Sequence, residues 1–167
     1  NSPDEVYRIV KATLKGQLTA EGMGALLQRP DVRVVKVADG APDNWSYLSE
    51  TLPVGIEVLD FYHAVEPLDA ALAAAYGEGT PTYQERVETL STVLRDETHG
   101  VDKVIGALCR LRTRYPRRQA IHQALAYFRD HCHRMCYADL RAHNVPIGSG
   151  VVEAACKTLV SQRLKRS

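Results

Sequence analysis

The sequence predicts an α/β protein in which a small unit with parallel strands is followed by a long block of helices. Residues 32–60 have the pattern strand, short helix, strand, which is typical of two parallel strands joined by a crossover. From about residue 64 to 143 the chain carries no strand signal, and we call this stretch the helical block. A length of 167 residues allows one domain, with or without a sub-domain, and a buried core.

The chain begins with helix signals and then changes to a strand. Apolar residues at three- and four-residue spacing follow Pro3-Asp4-Glu5 as far as Leu14, and a second helix is expected over 19–28. The β-branched run from Val32 to Val37 then predicts the first strand, and Asp39-Gly40 ends it.

The crossover and the second strand come next. Asp43-Asn44 is expected to cap a short helix over 45–51. Pro53 and Gly55 end that helix, and the apolar run from Ile56 to Phe61 predicts the second strand.

Turn residues divide the helical block into four stretches. Gly and Pro at 77–81, His-Gly at 99–100 and Tyr-Pro at 115–116 separate them. The expected helices cover residues 64–76, 81–97, 101–115 and 117–143. A Gly-Ser-Gly loop over 144–150 then precedes a closing helix from 151 to 166.

The net charge of +1 conceals an uneven distribution along the chain. Residues 1–106 hold 9 basic and 17 acidic side chains, whereas residues 107–167 hold 12 basic and 3 acidic ones. The near-neutral total argues against a uniformly basic coat for nucleic acid. The basic part alone indicates either a polyanion partner or a basic helical surface without a partner.

Neither a membrane helix nor a signal peptide is visible in the sequence, since no apolar run approaches about 20 residues. Four clustered cysteines are too few for a disulfide framework, which favours a reducing compartment. The chain starts without Met and ends on a basic run, so we expect it to be a piece of a longer protein.

Two aspartates directly follow the two predicted strands. Ligands of open α/β sheets gather at the carboxyl ends of strands, so Asp39 is a candidate metal ligand or acid/base group. The alternative for Asp39 is a turn residue, because Asp-Gly is a common turn pair. Asp60 ends the second strand and His63 follows one helical turn later, so their side chains can lie close. The alternative is a helix cap for Asp60 and a hydrogen-bonded interface position for His63.

A third candidate is Glu153, in the first turn of the closing helix. It follows the Gly-Ser-Gly loop, which can cap a helix and allows another backbone to approach closely. An acidic residue at this position also complements the helix dipole, which is the alternative explanation.

Three segments together resemble the carboxyl-terminal half of a bacterial insertion-sequence transposase of the DDE type, with the Kra-type group the most similar. They are Val-Ala-Asp-Gly-Ala at 37–41, Asp-Phe-Tyr-His-Ala at 60–64 and Pro-Ile-Gly-Ser-Gly-Val-Val-Glu-Ala-Ala-Cys-Lys at 146–157. Asp39 matches the second catalytic aspartate of that family. Asp60 and His63 match its Asp-x-x-His signature, and Glu153 matches its catalytic glutamate.

The resemblance implies a partial ribonuclease-H-like fold. Residues 1–63 would form part of the catalytic core, 64–145 a helical insertion, and 146–167 the closing core helix. The family's first catalytic aspartate has no match here, because nothing upstream of Asp39 has the pattern of three strands. We therefore expect that aspartate to precede this piece, and the piece alone to be incomplete as an enzyme.

The implied activity is metal-dependent DNA cleavage and strand transfer. Mg²⁺ or Mn²⁺ would be held by Asp39 and Glu153, because hard cations prefer carboxylate oxygens. Asp60 and His63 would support the site. Phosphate contacts would come from basic residues in and after the third block helix and in the closing helix. They are Arg110, Arg112, Arg114, Arg117, Arg118, Lys157, Arg163 and Lys165.

The partners implied are DNA at transposon ends and targets, and further copies of the chain, in the bacterial cytoplasm at the nucleoid. One alternative is a DNA-binding or assembly remnant of a transposase without catalysis. Another is an unrelated ribonuclease-H-like nuclease, against which the helical insertion and the Asp-x-x-His signature argue. For Lys157 the alternative to DNA contact is an ion pair with Glu153.

The segment 131–136 carries two histidines and two cysteines, which raises a zinc site as an alternative. Zinc sites usually need a second ligand pair elsewhere in the chain, and Cys109 and Cys156 are single. We therefore favour free cysteines that are buried and pack as small apolar side chains.

Overall fold

A computed structural model describes Arg29 and residues 32–148. The helices expected over 3–14 and 19–28 and the closing helix of Glu153 lie outside these residues. Within them the protein is α/β and mostly helical, with a two-stranded parallel sheet, so the predicted fold class is confirmed at this level. Among the helices that the structure describes, none has the length and apolar composition needed to span a bilayer.

The sheet consists of β1 (Val35–Ala38) and β2 (Ile56–Leu59). The Ile56 amide donates to the Val34 carbonyl at 2.9 Å, and the Asp60 amide donates to the Ala38 carbonyl at 2.8 Å. The two hydrogen-bonded residues are separated by the same number of positions in the sequence at both ends of the sheet, as parallel pairing requires. The second strand ends before its predicted limit, because the chain enters a helix directly after Asp60.

The crossover between the strands is α1 (Pro42–Thr51), which starts three residues before its predicted beginning. The expected Asp43-Asn44 cap is wrong, since Ala41 is the N-cap residue and Pro42 takes the first helical position. The fixed φ of proline and its missing N–H suit that position. Asp43 lies in the first turn instead, where its charge complements the helix dipole.

The chain divides into two compact units. The first contains residues up to Lys36 and Ala41–Glu57, and the second contains Val37–Gly40 and the chain from Val58 onward. In the described part of the first unit, α1 buries Trp45. The predicted functional boundaries after residues 63 and 145 stay a prediction.

The second unit is helical after β2. Its described elements are α2 (Phe61–Tyr76), α3 (Pro81–Asp96), α4 (Gly100–Arg114), α5 (Gln119–His131), a 3₁₀ turn (Cys132–Arg134) and α6 (Tyr137–Ala142). Helices α2 to α5 pack in a ring, since each contacts the next and α5 contacts α2. Leu68, Leu108 and Phe128 are fully buried at its centre. Because burying one such side chain contributes about 1.5–3 kcal/mol, this core is the main source of stability in the unit.

The single helix predicted over 117–143 is wrong, because the chain breaks between His131 and Tyr137. At about 100° per residue, an unbroken helix would place Tyr137 on the opposite face from Phe128. The break instead turns Tyr137 into the core, where it is 1% exposed and its hydroxyl donates to the Leu59 carbonyl at 2.9 Å. Burial of a large aromatic ring and a satisfied hydroxyl together favour the interruption.

Candidate functional site

Asp39 and Asp60 follow the two paired strands and therefore lie at the same end of the sheet, here named the aspartate edge. The hydrogen bond from the Asp60 amide to Ala38 connects the two strand ends directly. Asp39 is half-buried and Asp60 is 2% exposed. The structure thus brings the two predicted aspartates together where ligands of α/β sheets gather.

Asp60 is also the N-cap of α2. Its Oδ1 accepts a hydrogen bond from the Tyr62 amide at 2.9 Å, and the Ile147 carbonyl accepts one from the Phe61 amide at 2.9 Å. The first amides of a helix have no acceptor inside the helix, so these two contacts satisfy them. The helix-cap interpretation of Asp60 is confirmed, together with its place at the aspartate edge.

The loop that leads to the predicted glutamate motif reaches the same edge. Besides the bond from Phe61 to Ile147, a Cβ atom on Gly148 would lie 3.7 Å from Asp60 Oδ1 and from the Tyr62 ring. The first residues of the motif therefore pass the aspartate edge. Outside the described residues lie the remaining predicted site residues: Glu153, Lys157, Arg163 and Lys165.

His63 lies on the exposed side of α2. Its Nδ1 is 3.2 Å from Glu66 Oε1, one turn further along the helix. Both side chains are largely solvent-accessible, and such pairs contribute little to stability. His63 thus pairs with Glu66, and its supporting role at the site stays a prediction.

Tyr127 of α5 lies at the aspartate edge and was missed from the sequence. A Cβ atom on Gly40 would lie 2.5 Å from both Tyr127 Cε2 and its hydroxyl oxygen, so the ring rests on the backbone that follows Asp39. Only glycine permits so close an approach. The glycine after Asp39 was the available signal, although a glycine does not identify the side chain that covers it.

The acidic groups near Tyr127 act on its phenol. Burial and the charges of Asp39, Glu66 and Asp60 together raise the pKa of the phenol to about 12; burial contributes most, and Asp39 is the strongest of the three charges. The ring also packs against His131, with the centroids 4.8 Å apart.

His131 links this ring to a cation. Its Nδ1 lies 3.2 Å from Arg134 Nη1. Burial lowers the pKa of His131, and the nearby guanidinium of Arg134 lowers it further. The imidazole beside Tyr127 is therefore biased towards its neutral form.

Of the two predicted metal ligands, Asp39 lies within the described residues and Glu153 outside them. Among residues 29 and 32–148, no three Asp, Glu, His or Cys side chains come together as a metal site. Carboxylate oxygens such as those of Asp39 and Glu153 suit Mg²⁺ or Mn²⁺ chemically. Since Glu153 lies outside the described residues, the fit rests on the donor type and on the position of Asp39.

The segment 131–136 forms no metal cluster within the described chain. Cys132 and Cys136 are free, Cys132 is half-buried and Cys136 is exposed. The expectation of buried packing is therefore wrong for Cys136. Partial burial of the Cys136 sulfur raises the pKa of this thiol, which favours the neutral form.

Five of the predicted DNA-contacting residues lie at the end of α4 and in the turn after it, and we call them the arginine surface. They are Arg110, Arg112, Arg114, Arg117 and Arg118. Arg112 is half-buried and the other four are exposed. None of the five contacts a carboxylate in the described part of the chain, and residues 103–129 contain neither Asp nor Glu.

Two other arginines of the helical block are paired with a carboxylate. Arg95 donates to Asp96 at 2.8 Å, and Arg141 also pairs with Asp96. Arg112 and Arg114 lie in the last turn of α4, where a cation complements the helix dipole. The dipole can account for these two, but Arg117 and Arg118 lie beyond the helix.

Comparisons with known proteins identify no relative. No protein-family model, no curated protein and no solved structure matches the chain. The function is therefore inferred from the residues and their geometry.

Proposed function

We propose that the chain is part of a DDE-type transposase, which cleaves and joins DNA strands with Mg²⁺ or Mn²⁺. The observation that carries the proposal is the meeting of Asp39, Asp60 and the loop residues Ile147 and Gly148 at a single sheet edge. These are the three segments on which the sequence resemblance rests. A ribonuclease-H-like core and assembly of several copies on DNA in the bacterial cytoplasm belong to the same proposal.

Chain length allows the predicted glutamate to reach the aspartate edge. Glu153 follows Gly148 by five residues. Five residues of extended chain span at most about 18 Å. On the family resemblance, Asp39 and Glu153 are the residues that would hold the ion. When bound, the ion would stabilise the attacking and leaving oxygens of an in-line displacement at phosphorus.

The chain's other residues would hold the site and the DNA. Asp60 fixes the start of α2 to the edge through its cap, and the Phe61 amide fixes the loop of Ile147. The arginine surface offers guanidinium groups without a carboxylate partner in the described chain, and such groups bind phosphate oxygens in pairs.

Removing either proposed ion ligand tests the catalytic part of the proposal. In the full-length protein, Asp39→Ala and Glu153→Ala are each expected to abolish Mg²⁺-dependent cleavage of end-labelled DNA. DNA affinity in a gel-shift assay should change little, because phosphate contacts come from elsewhere. Asp43→Ala is the matched control, since this exposed acidic residue follows the same strand by a few positions.

The outcome separates two candidate functions. Cleavage at the wild-type rate by either ligand variant would contradict the assignment of the site. A wild-type protein that binds DNA without cleaving it would support the second candidate, a DNA-binding remnant, which the arginine surface favours by itself.

A double substitution tests the arginine surface. Arg112→Gln with Arg114→Gln is expected to weaken duplex binding at low salt. The slope of log K against log salt concentration should become less steep by up to about 1.8, because each lost phosphate contact contributes about 0.9. Arg95→Gln is the control, since that guanidinium is already paired with Asp96. An unchanged slope in the double variant would show that Arg112 and Arg114 do not contact phosphates, and the helix dipole would then be their only explanation.

A further inference from the structure

The hydroxyl of Tyr127 differs from two other tyrosine hydroxyls of the second unit. Tyr83 donates to Asp69 Oδ1 at 2.6 Å, and Tyr137 donates to the Leu59 carbonyl at 2.9 Å. Tyr127 finds no hydrogen-bond partner among the residues that the structure describes, although its ring is half-buried. Its hydroxyl is thus held at the aspartate edge without a hydrogen bond to the part of the chain that the structure describes.

The ring itself is fixed on two sides. Gly40 allows it to lie against the backbone, and the His131 ring packs on it at 4.8 Å. Arg134 in turn contacts His131, at 3.2 Å. A hydroxyl held in this way loses little conformational entropy when it binds a ligand, which favours binding.

The surroundings of this hydroxyl contain acceptors. Asp39, Glu66 and Asp60 are the charged groups that act on it most strongly. Ionised carboxylates only accept hydrogen bonds, whereas a phenol is an uncharged donor at neutral pH. A phosphate oxygen that comes to this edge would therefore obtain a hydrogen bond from Tyr127 and none from the three carboxylates.

We propose that the Tyr127 hydroxyl donates a hydrogen bond to a non-bridging oxygen of the DNA phosphodiester that binds at the aspartate edge. Helix α5 of the helical block then contributes a residue that contacts the substrate, beside the carboxylates that follow the strands. This inference rests on the proposed function, because it requires DNA cleavage at this site.

The test is Tyr127→Phe in the full-length protein with Mg²⁺ and labelled DNA. The phenylalanine ring keeps the packing on Gly40 and His131, so the variant is expected to fold like the wild type. Cleavage at saturating DNA should slow by about 10- to 100-fold, as expected for one lost hydrogen bond to a charged group. The KM for DNA should change little, because in the proposed function most phosphate contacts come from the arginine surface. Tyr83→Phe is the control and should cleave at the wild-type rate.

A sulfur substitution distinguishes a substrate contact from a structural role. Each non-bridging oxygen at the cleaved phosphate is replaced by sulfur in turn, and rates are compared with those of unmodified DNA. In the wild type, one isomer should be slowed by loss of the hydrogen bond, and this slowing should shrink in Tyr127→Phe. Lower activity with an unchanged sulfur effect would overturn the inference, as would an unchanged rate.

Failure of the proposed function gives a different result. If the wild type and Asp39→Ala both fail to cleave DNA, the proposed function and this inference are overturned together. If the wild type cleaves, Asp39→Ala does not and Tyr127→Phe is unaffected, only the inference is overturned.

Discussion

Replacing Gly100 with alanine is expected to lower the free energy of unfolding by about 3 kcal/mol, the upper part of the range for overpacking. The added Cβ atom would lie 2.2 Å from the Val93 carbonyl oxygen and 3.0–3.1 Å from backbone atoms of Leu94. These atoms belong to the last turn of α3 and cannot rotate away as a side chain can. The tight turn from α3 into α4 would have to open, although both helices contribute to the core.

Gly106→Ala, in the same helix, is the matched control with the opposite expected sign. Among the described residues, its Cβ atom would meet only the flexible Arg110 side chain, at 3.6 Å. Glycine inside a helix costs about 0.5–1 kcal/mol relative to alanine, so this variant should be more stable than the wild type. Urea denaturation gives the change in the free energy of unfolding for both variants, provided that the m-value stays constant. A wild-type midpoint for Gly100→Ala would contradict the close approach of α3 and α4.

Two substitutions of Tyr137 are expected to separate its hydrogen bond from its packing. Tyr137→Phe removes the donor to the Leu59 carbonyl and should cost about 1–2 kcal/mol, the cost of a buried polar group losing its partner. Tyr137→Ala also removes a ring that packs edge-on against Phe61 at 5.4 Å, and should cost about 3–5 kcal/mol. Both values follow from urea midpoints.

Tyr62→Phe is the control for these variants, because Tyr62 is 69% exposed and its change should stay within about 0.5 kcal/mol. A Tyr137→Phe midpoint equal to that of the wild type would show that the bond to Leu59 adds no net stability. A cost under 1 kcal/mol for Tyr137→Ala would contradict its place in the core.

Local signals were sufficient to predict the two strands and the helices between residues 42 and 115. The β-branched run ending at Val37 and the apolar run from Ile56 predict β1 and β2, and the single crossover helix predicts that the strands are parallel. The position of Asp39 and Asp60 at one edge follows from that arrangement without further information. These features depend on residues that are close in the sequence, so local sequence patterns are enough to predict them.

Features that depend on distant contacts could not be predicted. Met135 follows Phe128 by seven residues, so in an unbroken helix both would lie on one face. The apolar periodicity therefore continues across the break between His131 and Tyr137, and the sequence gives no sign of that break. The contact of Tyr127 with Gly40 joins a helix to a strand end far away in the chain, and no local pattern indicates it. Asp60 and Glu66 are each three residues from His63, so the spacing in the sequence does not show which carboxylate His63 contacts. The side-chain rotamer of His63 decides it, and in the structure the partner is Glu66.

The hydrogen bond between the Phe61 amide and the Ile147 carbonyl has a consequence for how this architecture can vary. The chain departs from the strand edge at Phe61 and returns to it at Ile147, so both ends of the intervening segment meet at one point. Segments whose ends are close tolerate insertions and deletions well, and the entropy of closing a loop grows slowly with its length. The segment between these residues can thus gain or lose length in its exposed loops, while the contacts of Tyr127 with Gly40 and of Tyr137 with Leu59 limit exchange of the helical residues at the strand ends.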